Sequence, residues 1–212
     1  MSFIKLESVS KQIKGQLLIK NVTFQINKGE IATFEGINGS GKTLILKAIL
    51  GLIKTNGNIS INDQQVNVKN KYPISAGMLI EKPSLIEQLT AFQNLKLLAQ
   101  LQDKISDDDI IKLLISLGLD GHIHQKVKHF SLGMKQKVGI AQALLGNNKL
   151  IVLDEPTNAL DEESVASLIN IIKDFNTSQT TFLITSHDSN FINQISTKPF
   201  IVRNGVINAK IS

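Results

Sequence analysis

The chain of 212 residues contains no cysteine. That absence excludes a disulfide scaffold, a thiolate metal site and a cysteine nucleophile. Arginine is nearly missing as well: of 23 basic residues only Arg203 is one. Bidentate reading of base edges favours arginine, so a sequence-specific nucleic-acid role is disfavoured. No apolar run approaches the ~20 residues that span a bilayer. No secretory leader is expected, because Met1-Ser2-Phe3-Ile4-Lys5 leads straight into an alternating pattern. Pro-rich linkers, low-complexity segments and internal repeats are lacking too. Charged residues make up only 19% and hydrophobic ones 42%, which excludes a disordered chain. The length suits one domain, or one domain carrying a sub-lobe. The expected location is the cytoplasm.

What charge there is lies unevenly. Residues 1–82 carry 11 lysines against 5 acids, whereas residues 147–212 carry 5 basic residues against 7 acids. The basic first third reads most simply as solvated lysine surface; phosphate groups of a nucleotide or a membrane are the alternative.

Apolar alternation predicts strands over 3–10 and 17–27, joined by a hairpin turn at Gly15. Ile31 to Phe34 forms a short strand, followed by a glycine-rich segment and a helix from Lys42 to Leu50. Short strands over 57–68 turn at Asn62-Asp63, and Ala76 to Ile80 forms another. From about residue 86 the period turns helical. Thr90-x-x-Gln93 opens a helix through Leu101, and Ser106-x-x-Asp109 opens one that ends at Gly118. The run Asp107-Asp108-Asp109 complements a helix N-terminus rather than forming a metal site. Residues 121–131 are irregular, and His122, His124 and His129 read as loop residues. A helix from about Met134 to Leu145 precedes the buried strand Lys149 to Leu153. A helix over 162–175, the strand Thr180 to Thr185 and two short strands around Gly205 follow. This order predicts an α/β fold with an N-terminal antiparallel β part and an inserted helical sub-lobe. Residues 1–82 and 147–212 form the core and 83–146 the insertion, within a single 1–212 domain.

The glycine-rich segment, Gly36-Ile37-Asn38-Gly39-Ser40-Gly41-Lys42-Thr43, satisfies G-x-x-x-x-G-K-[ST] between a strand and a helix. Its glycines turn backbone N–H groups inward around phosphates, and the following helix adds its positive end. Lys42 neutralises β/γ-phosphate charge, and the Thr43 hydroxyl reaches Mg²⁺. The spacing of Gly36, Gly39 and Gly41 does not fit a dinucleotide fingerprint. A second element suits hydrolysis. The strand Leu150 to Leu153 ends in Asp154, a Mg²⁺ holder, and Glu155, which polarises the attacking water.

Between them lies Ser131-Leu132-Gly133-Met134-Lys135-Gln136-Lys137. With the phosphate loop at 36–43 and the acidic strand at 150–155, this segment resembles the signature motif of ABC-transporter ATPases. Asn158-Ala159-Leu160-Asp161 resembles the family's D-loop, and Ser186-His187 its switch-histidine loop. The resemblance covers essentially the whole chain. It implies a P-loop NTPase of the ABC ATPase type that binds ATP and Mg²⁺. It also implies a head-to-tail homodimer, or a pairing with a second ATPase subunit, with ATP sandwiched between them. One copy offers Asn38 to Leu44 and the other Ser131, Gly133 and the helix behind them. His187 then bridges the γ-phosphate and Glu155, and Asp161 belongs to the same interface. A separate transmembrane permease is the implied partner, docking a short helix in a groove beside the sub-lobe. The protein is then peripheral on the inner face of the cell membrane, and no nucleic acid is involved.

Four positions depart from the family pattern. Ile13 stands where an aromatic residue stacks on adenine, so selectivity between ATP and GTP is expected to be weak. Leu44 replaces a hydroxyl that touches the α-phosphate. Leu132 replaces a signature glycine. Glu81, in Gly77-Met78-Leu79-Ile80-Glu81-Lys82-Pro83, replaces the glutamine of the Q-loop. Glutamate there resembles the bacitracin and lantibiotic export and immunity branch, and its carboxylate can ligate Mg²⁺ or tune the attacking water. A soluble ABC ATPase of the iron–sulfur-assembly type, without a membrane partner, is the alternative. A P-loop kinase would leave the signature and Asp154-Glu155 without a role.

Overall fold

The computed structural model describes residues 2–102, 104–177 and 179–210. It opens with a long hairpin, β1 (Ser2–Ile13) and β2 (Gln16–Asn27). Lys14 and Gly15 at its tip both take left-handed backbone, the geometry of a two-residue hairpin turn. Ile4, Leu6 and Val9 are fully buried. The step from Leu6 to Val9 breaks the two-residue period, and a bulge absorbs it. Ser8 turns to φ 51° and donates its N–H to the Thr23 hydroxyl at 2.9 Å. The bulges carry β1 on to Ile13, three residues past the expected end of the strand.

On its other side β1 pairs with β4 (Asn56–Ile61). The two-residue β5 (Gln64–Gln65) follows through a turn at Asn62-Asp63, where the turn was expected. This antiparallel sheet runs β2-β1-β4-β5.

The second sheet has six strands in the order β10-β9-β3-β8-β7-β6. These are β3 (Ile31–Glu35), β6 (Ala76–Leu79), β7 (Leu150–Asp154), β8 (Thr181–Ser186), β9 (Lys198–Arg203) and β10 (Val206–Ala209). All neighbours pair parallel except β10 with β9. Leu150 and Val152 pack with the first sheet and with α1 (Lys42–Ile49), while Ile151 and Leu153 pack with helices on the opposite face. A strand covered on both faces has no polar side, which is why 150–153 reads as an unbroken apolar run. Phe24 of β2 closes on Phe34 and Phe200 at 5.8 and 4.7 Å between ring centroids, stapling the two sheets together.

The opposite face carries α2 (Ala91–Ala99), α3 (Asp107–Ser116), α4 (Leu132–Leu144), α5 (Glu162–Thr177) and α6 (Ser189–Ile195). Both expected capping boxes form, Thr90 with Gln93 and Ser106 with Asp109. Asp109 is therefore committed to its helix end. His122 and His129 sit on two short 3-10 turns, Asp120–His122 and Val127–His129. Two expectations need correction. The α4 helix starts at Leu132 rather than near Met134, because the Ser131 hydroxyl accepts the Met134 N–H and caps the helix earlier. The α6 helix was not expected at all; Asp188 caps it and Phe191, Ile192 and Ile195 bury its apolar face. No helix among the described residues is long and apolar enough to cross a membrane.

Candidate nucleotide site

The C-terminal ends of β3, β7 and β8 lie side by side, and the loops leaving them bring the motif residues together. From β3 the chain runs through residues 36–41 into α1. Gly41 at the N-cap has φ 108°, a conformation that favours glycine, and supplies no side-chain cap. By contrast α2, α3, α4 and α6 are capped by Thr90, Ser106, Ser131 and Asp188. The first-turn N–H groups of α1 are thus left for an outside acceptor, and the turn itself contains no acidic residue. Asn38 and Gly39 are exposed at the loop tip. Ser40 is buried, and its hydroxyl finds no partner among the described residues.

Lys42 is only 5% exposed. Its ammonium donates to the Gly36 and Ile37 carbonyls at 2.6 and 3.1 Å, and lies 2.9 Å from Glu155 Oε1. The other oxygen of Glu155, Oε2, lies 2.8 Å from His187 Nδ1. Glu155 takes φ 49°, a left-handed turn that costs a non-glycine residue about 1 kcal/mol. The turn is held by Thr185, whose hydroxyl and carbonyl accept the Glu155 N–H at 2.9 and 3.2 Å.

Asp154 is buried, and no cation pairs with it among the described residues. Its carboxylate accepts from the Thr43 hydroxyl at 2.8 Å, the Thr185 hydroxyl at 2.6 Å and the Glu81 N–H at 3.3 Å. A buried carboxylate served by hydroxyls and an amide, with no positive charge, is a donor set suited to a hard cation. Mg²⁺ commonly takes few protein oxygens and completes its shell with phosphate and water. Thr43 and Asp154 therefore fit Mg²⁺.

The remaining expected residues lie as follows. The Leu44 side chain packs against the core beside α1, so only its backbone is left for a phosphate. Ile13 ends β1 at the hairpin tip, 41% exposed. Glu81 has φ 60°, and its carboxylate lies 2.5 Å from Lys47 Nζ of α1. In this conformation its side chain serves an ion pair, while its backbone serves Asp154. Ser131 and Gly133 make no hydrogen bond to residues 36–43 among the described residues. Gly133 instead lets α4 touch the 158–161 loop: a Cβ there would come within 2.5 Å of the Ala159 carbonyl. Asp161 takes the Ser164 N–H at 2.8 Å at the start of α5, and this bonding to Ser164 holds its carboxyl below the ordinary aspartate value.

Two residues were missed. Gln136 of α4 donates to the Glu155 and Pro156 carbonyls, each at 3.3 Å, joining α4 to the loop that leaves β7. Thr185 organises both acids at once. The available signal was faint: an apolar strand that ends in two hydroxyl residues, Thr185 and Ser186.

Comparison with known proteins agrees with this geometry. The sequence profile of the ABC transporter family matches residues 19–158. The uncharacterized ABC transporter ATP-binding protein YybJ of Bacillus subtilis is 40% identical over 185 residues, covering 87% of this chain and 85% of YybJ. The lantibiotic transport ATP-binding protein SrtF of Streptococcus pyogenes is 36% identical, covering 87% of this chain and 80% of SrtF. A dimeric ATP-binding cassette solved in a post-hydrolysis state with ADP and Pi superposes with a TM-score of 0.87 at 25% identity, covering 98% of this chain and 97% of that one. This chain belongs to the ABC transporter family, as an ATP-binding and ATP-hydrolysing subunit.

Proposed function

We propose that the chain powers export of a peptide antibiotic, or a related peptide cargo, through a separate membrane permease. ATP hydrolysis is carried out by two copies, or two paired subunits, closed head to tail. Support for the cargo comes from the likeness to the lantibiotic transport protein SrtF and from glutamate at position 81.

The row Lys42–Glu155–His187 carries the mechanism. The ammonium of Lys42 sits on Glu155 Oε1 and two loop carbonyls. A triphosphate offers that ammonium more charge than one carboxylate and two carbonyls. Lys42 then turns to the phosphates and releases Oε1, on the side where water attacks. Oxygen of that water bonds to the γ-phosphorus as the β–γ bridging P–O bond breaks, giving ADP and phosphate. Glu155 holds the proton leaving the water, and His187 keeps the carboxylate aimed. First-turn N–H groups of α1 face the phosphate charge, so positioning and fixed dipoles supply most of the acceleration. Thr43 and Asp154 would hold Mg²⁺, which would supply positive charge against the phosphates. Ser131 and Gly133 of a second copy close the site, an arrangement that uses no arginine finger.

A cavity of about 390 Å³ beside β6 suits a short permease helix. Met78, Lys82, Leu98, Gln102 and Gln142 line it. Through such docking the protein sits on the inner face of the membrane.

Glu155→Gln tests the hydrolytic assignment: turnover is expected to vanish while an ATP-bound dimer accumulates in size-exclusion chromatography. Hydrolysis near the wild-type rate overturns it. Loss of the gene, and Glu155→Gln in its place, are expected to sensitise cells equally to lantibiotic-type peptides. Unchanged sensitivity across such peptides overturns the cargo assignment.

A further inference from the structure

Glu35 is the last residue of β3, immediately before Gly36, and its side chain is 21% exposed. A carboxylate so little exposed at the end of a central strand needs partners, and it has two. The Ser189 hydroxyl donates to Oε1 at 2.5 Å, and the Lys210 ammonium donates to Oε2 at 2.9 Å. These bonds hold its carboxyl below the ordinary glutamate value, so it stays ionised near neutrality.

Ser189 opens α6, two residues after His187. His187 itself is poorly packed. Its side chain is 51% exposed and lines a cavity of about 410 Å³ with Glu35, Ile37, Arg203 and Lys210. Space around the ring means that its place at Glu155 is set by the backbone on either side. On one side Ser186 belongs to β8 and pairs with Glu35. On the other side Asp188 caps a helix of only seven residues. The Ser189–Glu35 bond ties the start of that short helix to the sheet.

We infer that Glu35 is a positioning residue for hydrolysis, which fixes the His187 imidazole against Glu155 through the Ser189 hydroxyl, with Lys210 orienting the Glu35 carboxylate. The phosphate loop and the switch histidine then share one anchor: Glu35 is bonded in sequence to the loop's first glycine and through space to the helix behind the histidine. The inference rests on the catalytic reading of His187 given above.

The test separates the two. Nitrogen-15 NMR of the imidazoles reads His187 directly, since the chain has four histidines in all. Exposed Ser189 is the safest site for substitution. In Ser189→Ala the His187 Nδ1 signal is expected to lose its hydrogen-bonded shift. The value of kcat is expected to fall on the order of tenfold, with KM for ATP held within about twofold. Ser189→Thr, which keeps the hydroxyl, is expected to restore both. Glu35→Ala is expected to match Ser189→Ala, the double variant to add nothing, and neither to slow a His187→Ala protein further. An unmoved His187 signal in Ser189→Ala and Glu35→Ala overturns the inference, even where Tm falls. Full activity of His187→Ala overturns the catalytic reading of His187 instead, while the imidazole signals still decide whether Glu35 positions the ring.

Discussion

The Thr185 hydroxyl donates to Asp154 Oδ1 at 2.6 Å while it accepts the Glu155 N–H at 2.9 Å. One side chain on β8 thereby orients two acids at the end of β7. Thr185→Val keeps the shape and removes both bonds, so the Asp154 carboxylate keeps only the Thr43 hydroxyl and the Glu81 N–H, and the Glu155 N–H keeps only the longer bond to the residue 185 carbonyl. Stability is expected to drop by about 1–3 kcal/mol, read as a lower urea midpoint with unchanged slope. The Mg²⁺ dependence of nucleotide binding is expected to shift to higher Mg²⁺, because Asp154 loses its fixed orientation. A variant as stable as the parent, with the same Mg²⁺ dependence, contradicts this role.

Thr185 also marks where sequence reasoning reaches its limit. The phosphate loop and Asp154-Glu155 were legible because each is a contiguous stretch whose chemistry is local: glycines for turns, an acid at a strand end. The sheet strands were legible because burial on both faces leaves only apolar residues, as in 150–153. What joins the parts is non-local. Thr185 meets Asp154 across a strand pair, and Gln136 meets Glu155 from a helix in the middle of the chain. Neither pairing leaves a spacing to read. The α6 helix is a different case: Asp188 and the apolar trio Phe191, Ile192 and Ile195 are local signals, but seven residues make too short a periodic window to stand out. The Glu81–Lys47 pair was hidden for the first reason, since the glutamate was visible and its partner was not.

That pair gives the second prediction. Glu81 is 62% exposed and Lys47 26%, so their ion pair in water is worth at most about 1 kcal/mol. Glu81→Gln is therefore expected to leave the thermal midpoint nearly unchanged. Its backbone N–H to Asp154 is retained, because no side-chain atom of residue 81 takes part in that bond. The expected effect is on ATP turnover, because the amide removes the negative charge that pairs with Lys47 of α1, the helix that follows the phosphate loop. Wild-type ATPase activity together with wild-type resistance in cells removes any functional role for the carboxylate.

Glu35 gives a pH dependence with a definite sign. Ser189 and Lys210 lower its pKa in the folded chain from the ordinary value of 4.5. The folded protein therefore holds this proton less tightly than the unfolded chain. Its contribution to stability is complete above the unfolded glutamate value and is lost as pH falls through the folded one. Denaturation midpoints measured from neutral pH down into that acid range are expected to fall less steeply for Glu35→Gln than for the parent. Parallel profiles for the two proteins mean that Glu35 titrates alike in both states.

The hairpin tip carries the last prediction, on base selectivity. Ile13 ends β1 with 41% of its surface exposed, and it offers a purine an aliphatic contact but no ring face. Aliphatic contact does not distinguish adenine from guanine, because it reads no hydrogen-bonding pattern on either base. ATP and GTP are therefore expected to bind with comparable Kd in competition against a fluorescent nucleotide. Stacked aromatic pairs are worth about 0.5–1.5 kcal/mol beyond their buried area. Ile13→Tyr is accordingly expected to tighten ATP binding by roughly two- to tenfold. The substitution lies at a half-exposed strand end and disturbs no core packing, so stability serves as the control. A strong preference for ATP in the parent, or no gain in Ile13→Tyr, places the base elsewhere than at the tip of β1.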